Sequence, residues 1–471
     1  MRKAPEEKYT SVDASPVKDF FVRMLTRDIK LEEAILDLLD NCVDGILRQQ
    51  KNGRAAKPYA GFSAQIEFNR DSFLISDNCG GIPWSLHEYA FRMGPAPGRP
   101  RDTPGTVGVY GIGMKRAIFK MGRECLLSTR SGKDSYEVEI LPEWIENEKE
   151  WHIPVRPARK TMAHDGTTIL IGSLYSMIAA RFSDDAVEFD RLLRDMVATH
   201  YAFIIDKGFE VSINGKVVVP RPTKLVFARG DRRSERIQPF IFKGELDGVE
   251  IFLAVGFTRP LPSEAEIAAE QEDTKYSSLA AGWTVLCNDR AVLYCDRTEL
   301  TGWGEAGVAR YHTQFIAISG IVEFRSADPS KLPTTTTKRG IDAASPLYLR
   351  VKNKMREGMK LFIDYTNWWR GRLDEAKKHI EGEVPVTFHE VKAMSETLRF
   401  TATTKTILPG QQYKPRLPSP KSLEPKKRRI SFLKNAEEVE TVAEHLFEDR
   451  ETDPSEVGER CFEIILGEAE A

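Results

Sequence analysis

The segment LEEAILDLLDNCVDGIL, residues 31–47, constrains the fold more than any other stretch. Ile35, Leu38, Leu39, Cys42, Val43 and Ile46 recur at helical spacing and supply one apolar face. Asp37, Asn41 and Asp44 follow at intervals of four and three, which stacks them on neighbouring turns of the same helix. Such a helix must lie on a core, with its polar stripe turned either to solvent or to a ligand. Other parts of the chain decide between the two.

At 471 residues the chain exceeds one typical core, so two or three domains are expected. Hydrophobic residues make up 41% and charged residues 29%, the balance of a globular protein. A net charge of −2 gives no case for or against nucleic acid across the whole molecule. The six cysteines show no C-x-x-C pair and the eight histidines are scattered, so neither a disulfide framework nor a zinc site is expected. MRKAPEEKYT lacks the apolar core of a signal peptide, and no stretch approaches a membrane span. The expectation is a cytoplasmic protein with no membrane contact.

Pro5 and Pro16 make residues 1–20 an extended arm. A helical region follows to about residue 50, then two strands around the turn at Asn69, Arg70 and Asp71. Residues 94–113 are dense in Gly and Pro and read as a loop, with a helix opening at Met114. ECLLSTR, SYEVEIL and GTTILIG read as strands, EFDRLLRDMVATHYAFII as a helix, and FEVSINGKVV as a hairpin turning on Asn-Gly. Strand patterns dominate from 221 to 345, and a long helix covers 346–382. Residues 401–430 are rich in Pro, Lys and Ser and end in KKRRI, as a linker does. Beyond Asn435 the chain turns acidic, with short amphipathic patterns. No repeat of solenoid period is present.

Three separated elements carry chemistry. The first is the stripe Asp37, Asn41, Asp44. The second is ISDNCGGIP, where a strand delivers Asp77 and breaks at Gly80-Gly81. The third is GVYGIGMKRA, where Gly108, Gly111 and Gly113 lead into a helix near Lys115. A Gly-rich loop opening a helix makes an anion site, because unpaired N–H groups and the helix dipole point outward, and Lys115 adds a point charge. A carboxylate at a strand end, flanked by glycines, suits the exocyclic amine of a flat ring such as adenine. An Asn oxygen beside carboxylates suits a hydrated magnesium ion. No G-x-x-x-x-G-K-[ST] is present, so the site is not of Walker type.

In order and separation these elements resemble the nucleotide site of the GHKL ATPases, the family of gyrase, the ninety-kilodalton heat-shock chaperone, histidine kinases and MutL. DGTTILI adds Gly166-Thr167, similar to the Gly-Thr strand those proteins place beside adenine. The resemblance implies an α+β fold: a Bergerat-type α/β sandwich over 21–220, a transducer domain of ribosomal-protein-like β-α-β type over 221–385, a basic Pro-rich linker over 386–434, and a short acidic helical tail over 435–471. It implies ATP and Mg2+ as ligands. Asn41 would hold the metal and Asp77 the adenine amine, while Gly81, Gly108, Gly111, Gly113 and Lys115 would surround the phosphates. Asp44, Ile82, Tyr110, Ile112, Met114 and Thr167 would complete the nucleotide-binding set, and residues 94–113 would form the lid. The family's usual Glu base is replaced by Asp37, one methylene shorter, with Glu33 a further turn back, so hydrolysis would be slow or partner-assisted. Cys79 stands where the family's D-x-G-x-G motif has its first glycine.

GWTVLCNDRAVLY, FIAISGIVEF and LPTTTTKRGID resemble the transducer of MORC ATPases and MutL, which makes Lys338 the candidate lysine reaching the γ-phosphate. By the same resemblance, ATP would drive homodimerisation, with residues 1–20 as a strap on the partner. Two readings follow. One is an ATPase working as an ATP-gated dimeric clamp, with DNA as a candidate substrate in genome maintenance or defence. The other is a nucleotide switch, chaperone-like or signalling, with little hydrolysis, docking a protein partner through its acidic tail. Neither a histidine kinase nor a topoisomerase is expected, and no MutL-type nuclease motif occurs in the sequence.

Overall fold

The computed structural model describes residues 17–49, 57–92, 112–228, 236–263, 265–267, 280–335, 340–403, 408–420 and 430–470. The chain divides into two compact units, Met1–Ser419 and Pro420–Ala471. The fold is mixed α+β with two large sheets in the first unit.

The first unit opens with α1 (Lys18–Arg27) and α2 (Leu31–Gln49). β1 (Ser63–Phe68) and β2 (Phe73–Asp77) form a hairpin whose turn is held by Asn69, its Oδ1 accepting the N–H of Asp71 at 2.8 Å and of Ser72 at 3.0 Å. Then come α3 (His87–Phe91), α4 (Gly113–Met121), β3 (Gly122–Ser131), β4 (Asp134–Ile140), α5 (Pro142–Glu146), β5 (Val155–Pro157) and β6 (Gly166–Leu174). α6 (Ser176–Ser183), α7 (Ala186–His200) and α8 (Ala202–Asp206) lead to β7 (Glu210–Ile213) and β8 (Lys216–Val217). The order of this eight-stranded sheet is β5-β4-β3-β6-β2-β1-β7-β8, antiparallel except for the parallel pair β1–β7. β1 alternates buried and open positions, with Ala64, Ile66 and Phe68 turned inward. That alternation leaves one face for a helical layer, and α2, α4 and α7 contribute Ile35, Leu39, Ala117, Ile118, Phe189 and Leu193 to the common core.

The second sheet is built from β10 (Phe240–Leu246), β11 (Val249–Phe257), β12 (Gly282–Cys287), β13 (Arg290–Asp296), β14 (Ile318–Arg325), β16 (Thr401–Ala402) and β17 (Gly410–Tyr413), after the short β9 (Lys224–Leu225). Its order is β13-β12-β14-β11-β10-β17-β16. β11, β12 and β14 are buried along almost their whole length, because both faces are covered. On one side α9 (Pro346–Trp368) adds Met355, Met359 and Phe362 to a core with Val255 and Val322. On the other, Phe203 of α8 and Phe388 and Val391 of α11 (Phe388–Ser395) meet Phe252, Ala254 and Ile321. Gly320 permits the parallel β12–β14 pairing beside Trp283, since a Cβ there would lie 2.4 Å from the indole.

Three sequence expectations change. The helix expected over 346–382 ends at Trp368 and resumes as α10 (Leu373–Lys377) after Gly371 at φ +79°. The helix through 205 breaks at Tyr201 between α7 and α8. The stretch expected to be linker from residue 386 instead forms β15 (Val386–Thr387), α11, β16 and β17, and β17 pairs with β10 from Ile241↔Tyr413 to Gly244↔Gly410. Phe388 and Val391 anchor it by filling the second core; the Pro- and Lys-rich composition that suggests a linker is concentrated after that point.

The second unit holds α12 (Ala436–Phe447), started by an Asn435–Glu438 capping box, and α13 (Pro454–Glu470). Among the described residues no helix is long and apolar enough to cross a membrane.

Candidate nucleotide site

α2 is the spine of the site. Its apolar positions sink into the first core, yet Asp37, Asp40 and Asp44 are buried too, while Asn41 is exposed. Buried carboxylates need partners, and those of Asp37 and Asp40 come from elements distant in sequence.

Asp37 meets α4. Arg116 forms an ion pair with the Asp37 carboxylate, both side chains nearly enclosed. Gly113, the first residue of α4, abuts the same carboxylate; a Cβ there would lie 3.3 Å from Asp37 Cβ. Ile112, the residue before α4, gives no side-chain cap to the helix start. Met114, the second residue of α4, is buried.

Five residues further along α2, about 7.5 Å at helical rise, Cys42 meets the end of β2. Its thiol lies 3.5 Å from Asp77 Oδ2. Asp77 Oδ1 accepts the N–H of Cys79 at 2.7 Å and of Thr167 at 3.3 Å. Burial pushes the Asp77 carboxyl above its usual range, and the two N–H donors and the thiol pull against that. One oxygen is therefore fixed by the backbone, and the other meets only a weak thiol donor among the contacts described.

Glycines make this corner possible. Gly80 and Gly81 turn at φ +95° and +66°. A Cβ on Gly81 would come within 2.0 Å of Arg130 O, and one on Gly166 within 2.0 Å of Asp77 O. Cys79 is not among the positive-φ residues, so the left-handed geometry is carried by its two successors and a side chain is tolerated there. Thr129 of β3 ties the pieces together: its hydroxyl accepts the Ile82 N–H at 2.9 Å, donates to Gly166 O at 3.1 Å and lies 3.2 Å from the Thr167 hydroxyl.

Lys115, expected beside the phosphates, is engaged with backbone carbonyls. It is buried, and its ammonium donates to Ala90 O at 2.8 Å and Arg92 O at 2.7 Å. These are carbonyls at the end of α3, where a lysine is a natural cap. Burial lowers its pKa from 10.5 to about 8. Between these two values the unfolded chain holds a proton that the folded chain has released, so stability from this group rises with pH there; below about 8 the full cost of the buried charge is present. Relative to Lys115→Met, the wild-type chain should gain stability between about pH 8 and about pH 10, measured by urea denaturation at several pH values. Parallel pH dependences for the two proteins would contradict this.

Gly108, Tyr110, Gly111 and Lys338 lie outside the described residues, as do most of the expected lid and the arm through residue 16. Asp37 and Gly113 thus meet near the middle of α2, and Asp77 with Thr167 meets the same helix five residues further along at Cys42, with Asn41 between the two and Asp44 just beyond; Gly81 and Ile82 join through Arg48 and Thr129, and Met114 follows Gly113 on α4. Glu33 faces backward, its carboxylate accepting the Lys30 N–H at 3.0 Å at the start of α2. Arg116, Thr129 and Cys42 are site neighbours that the motifs do not mark.

α2 is also tied to the second sheet. Arg290 Nε of β13 donates to Asp40 Oδ1 at 2.9 Å, with both side chains at most 3% exposed. The Tyr201 hydroxyl donates to the same oxygen at 2.5 Å and lies 2.7 Å from Leu36 O, and the guanidinium lies 4.3 Å from the Tyr201 ring centroid. The turn before Arg290, Asn288-Asp289, has φ of 47° and 70°, the two-residue hairpin geometry. It delivers Asp289 to Tyr59 at 3.0 Å, Lys207 at 2.5 Å and Arg325 at 2.7 Å. Burial alone would raise the Asp289 pKa, yet Arg325 and Lys207 hold it well below the usual carboxylate range.

No model of a known protein family matches the chain, and no curated protein matches it in sequence.

Proposed function

We propose that the chain is an ATP-binding protein of GHKL type, with the eight-stranded sheet and its helices as a Bergerat-type domain and the second sheet with α9 as a transducer. The observation carrying this reading is the placement of two chemically different contacts five residues apart on one helix. Asp37, Gly113 and the start of α4, to which Ile112 gives no side-chain cap, form a part suited to phosphate. Asp77, Thr167 and the Gly80-Gly81 turn form a part suited to adenine.

Among the described residues no group of three or more His, Cys, Asp or Glu is placed to hold a metal. A magnesium ion would be held mostly by phosphate oxygens and water, with the exposed Asn41 as the protein's ligand; the ion would neutralise phosphate charge. Asp37 receives the proton of an attacking water, and Arg116 orients its carboxylate. The protein is then an ATPase, cytoplasmic, whose ATP-bound form closes as a homodimeric clamp, with DNA as a candidate substrate. The ion pair that engages Asp37 also supports a second reading, a nucleotide switch with little turnover.

Calorimetric titration with Mg-ATP and Mg-GTP tests the proposal. ATP should bind and GTP should not, because Asp77 accepts an exocyclic amine that guanine lacks at that position. Asp77→Asn should weaken ATP binding by about 10- to 100-fold, the worth of a hydrogen bond to a charged group. Equal affinity for both nucleotides, or an unaffected Asp77→Asn, would sink the reading.

A further inference from the structure

We infer that the hairpin of α12 and α13 is a docking site for a basic amphipathic helix of a partner protein. The two helices pack on each other and bury Ala443 and Val457. α13 carries a second apolar row that this packing does not use: Phe462, Ile465 and Leu466 are 55%, 62% and 45% exposed. Their spacing of three and four puts them on one stripe. Phe447 and Val442 on α12 are exposed as well, and Phe432 and Leu433 stand open just before it. A hairpin this small has no need of a second apolar row for its own fold, and rows of large side chains in water mark contact surfaces.

Charge identifies the occupant. Residues 435–471 carry thirteen Asp and Glu against two Arg, a net charge of −11. A second copy of the hairpin would bring like charge against like, and a nucleic-acid backbone has the same sign. A helix with an apolar stripe bordered by Lys and Arg satisfies both the exposed row and the acidic rim. The chain's own residues 414–430 are basic, with seven Lys and Arg against one Glu, and act as an internal competitor in the test.

The full-length protein would be titrated, by fluorescence anisotropy, with a labelled peptide of about 18 residues, long enough to hold a helix, with Leu at i, i+3, i+4 and i+7 and Lys elsewhere. It should bind, and the double substitution Phe462→Glu, Ile465→Glu should weaken binding by about tenfold or more, the effect of losing central apolar anchors. Leu466→Lys should act in the same direction, and helix content by circular dichroism should be unchanged in both. Four outcomes overturn the inference: equal binding of a scrambled peptide of the same composition; equal binding of the Glu-for-Lys peptide; no weakening in either variant; or light scattering showing self-association that these variants abolish. Binding that appears only after Lys426, Lys427, Arg428 and Arg429 are replaced by Ser would assign the groove to the chain's own segment instead. None of these readouts involves nucleotide, so failure here leaves the ATP reading untouched.

Discussion

Replacing Arg290 by Met should destabilise the first unit by about 3–5 kcal/mol, the cost of removing one partner from a buried ion pair. Asp40 has almost no access to water, and its Oδ1 is shared between Arg290 and the Tyr201 hydroxyl. Burial pushes the Tyr201 phenol well above its ordinary pKa, so the hydroxyl remains a donor and cannot replace the missing positive charge. Asp40→Asn should also destabilise, because the enclosed guanidinium loses the carboxylate it is paired with. The double substitution Asp40→Leu, Arg290→Met should recover most of the loss, since apolar groups of similar volume avoid desolvating two charges. Urea denaturation of the four proteins gives the cycle directly. A single Arg290→Met within about 1 kcal/mol of wild type would show that water or other groups serve Asp40 well enough.

The consequence reaches beyond stability. Asp40 precedes the exposed Asn41 and lies one turn from Asp37 and Asp44 on the same rigid helix. Arg290 belongs to the hairpin of the second sheet. Any change in that hairpin's position is therefore felt by α2 through a buried, geometrically demanding contact, and Asp289 fixes the same hairpin from its turn through Tyr59 and Lys207. Two adjacent residues on one turn join the second sheet to the helix that carries the candidate site.

Little of this joint is legible in sequence. The polar stripe at 37, 41 and 44 is readable because its period is helical, and so are the strand that ends at Asp77 and the glycines after it. Asp40 falls outside that stripe, between Leu36 and Val43 on the buried side. An acid there demands a partner, but sequence gives no means of finding one 250 residues away. The surroundings of Lys115 are hidden from sequence for a related reason. A lysine after a Gly-rich loop suggests a phosphate contact, while its long stem lets the charge travel to the carbonyls that end α3. Arg116, one position on, is the residue that reaches Asp37. The β17 strand GQQY is short and polar, without alternation, so only its pairing with β10 reveals it. By contrast the β7–β8 hairpin was plain from Asn-Gly, whose residues Asn214 and Gly215 both take positive φ.

Under the ATPase reading, Asp37→Asn should lower kcat by about 10²–10⁴-fold, the typical contribution of a general base, with ATP affinity unchanged. An amide of the same shape keeps the packing against Gly113 but cannot accept a proton. Arg116→Met should lower kcat by a smaller factor, because the carboxylate loses its orientation but keeps its chemistry; its effect should likewise fall on kcat more than on KM. Asp37→Glu is the informative third variant. Gly113 stands 3.3 Å from the Asp37 side chain when given a Cβ, so the extra methylene has room only if the start of α4 yields. A gain in turnover with Asp37→Glu would show that reach limits the natural residue and that the protein works as a slow switch. A loss would show that the shorter carboxylate, held by Arg116, is the one the site was built around. Wild-type binding of ATP without turnover, unchanged by all three substitutions, would remove Asp37 from the chemistry and leave the switch reading alone.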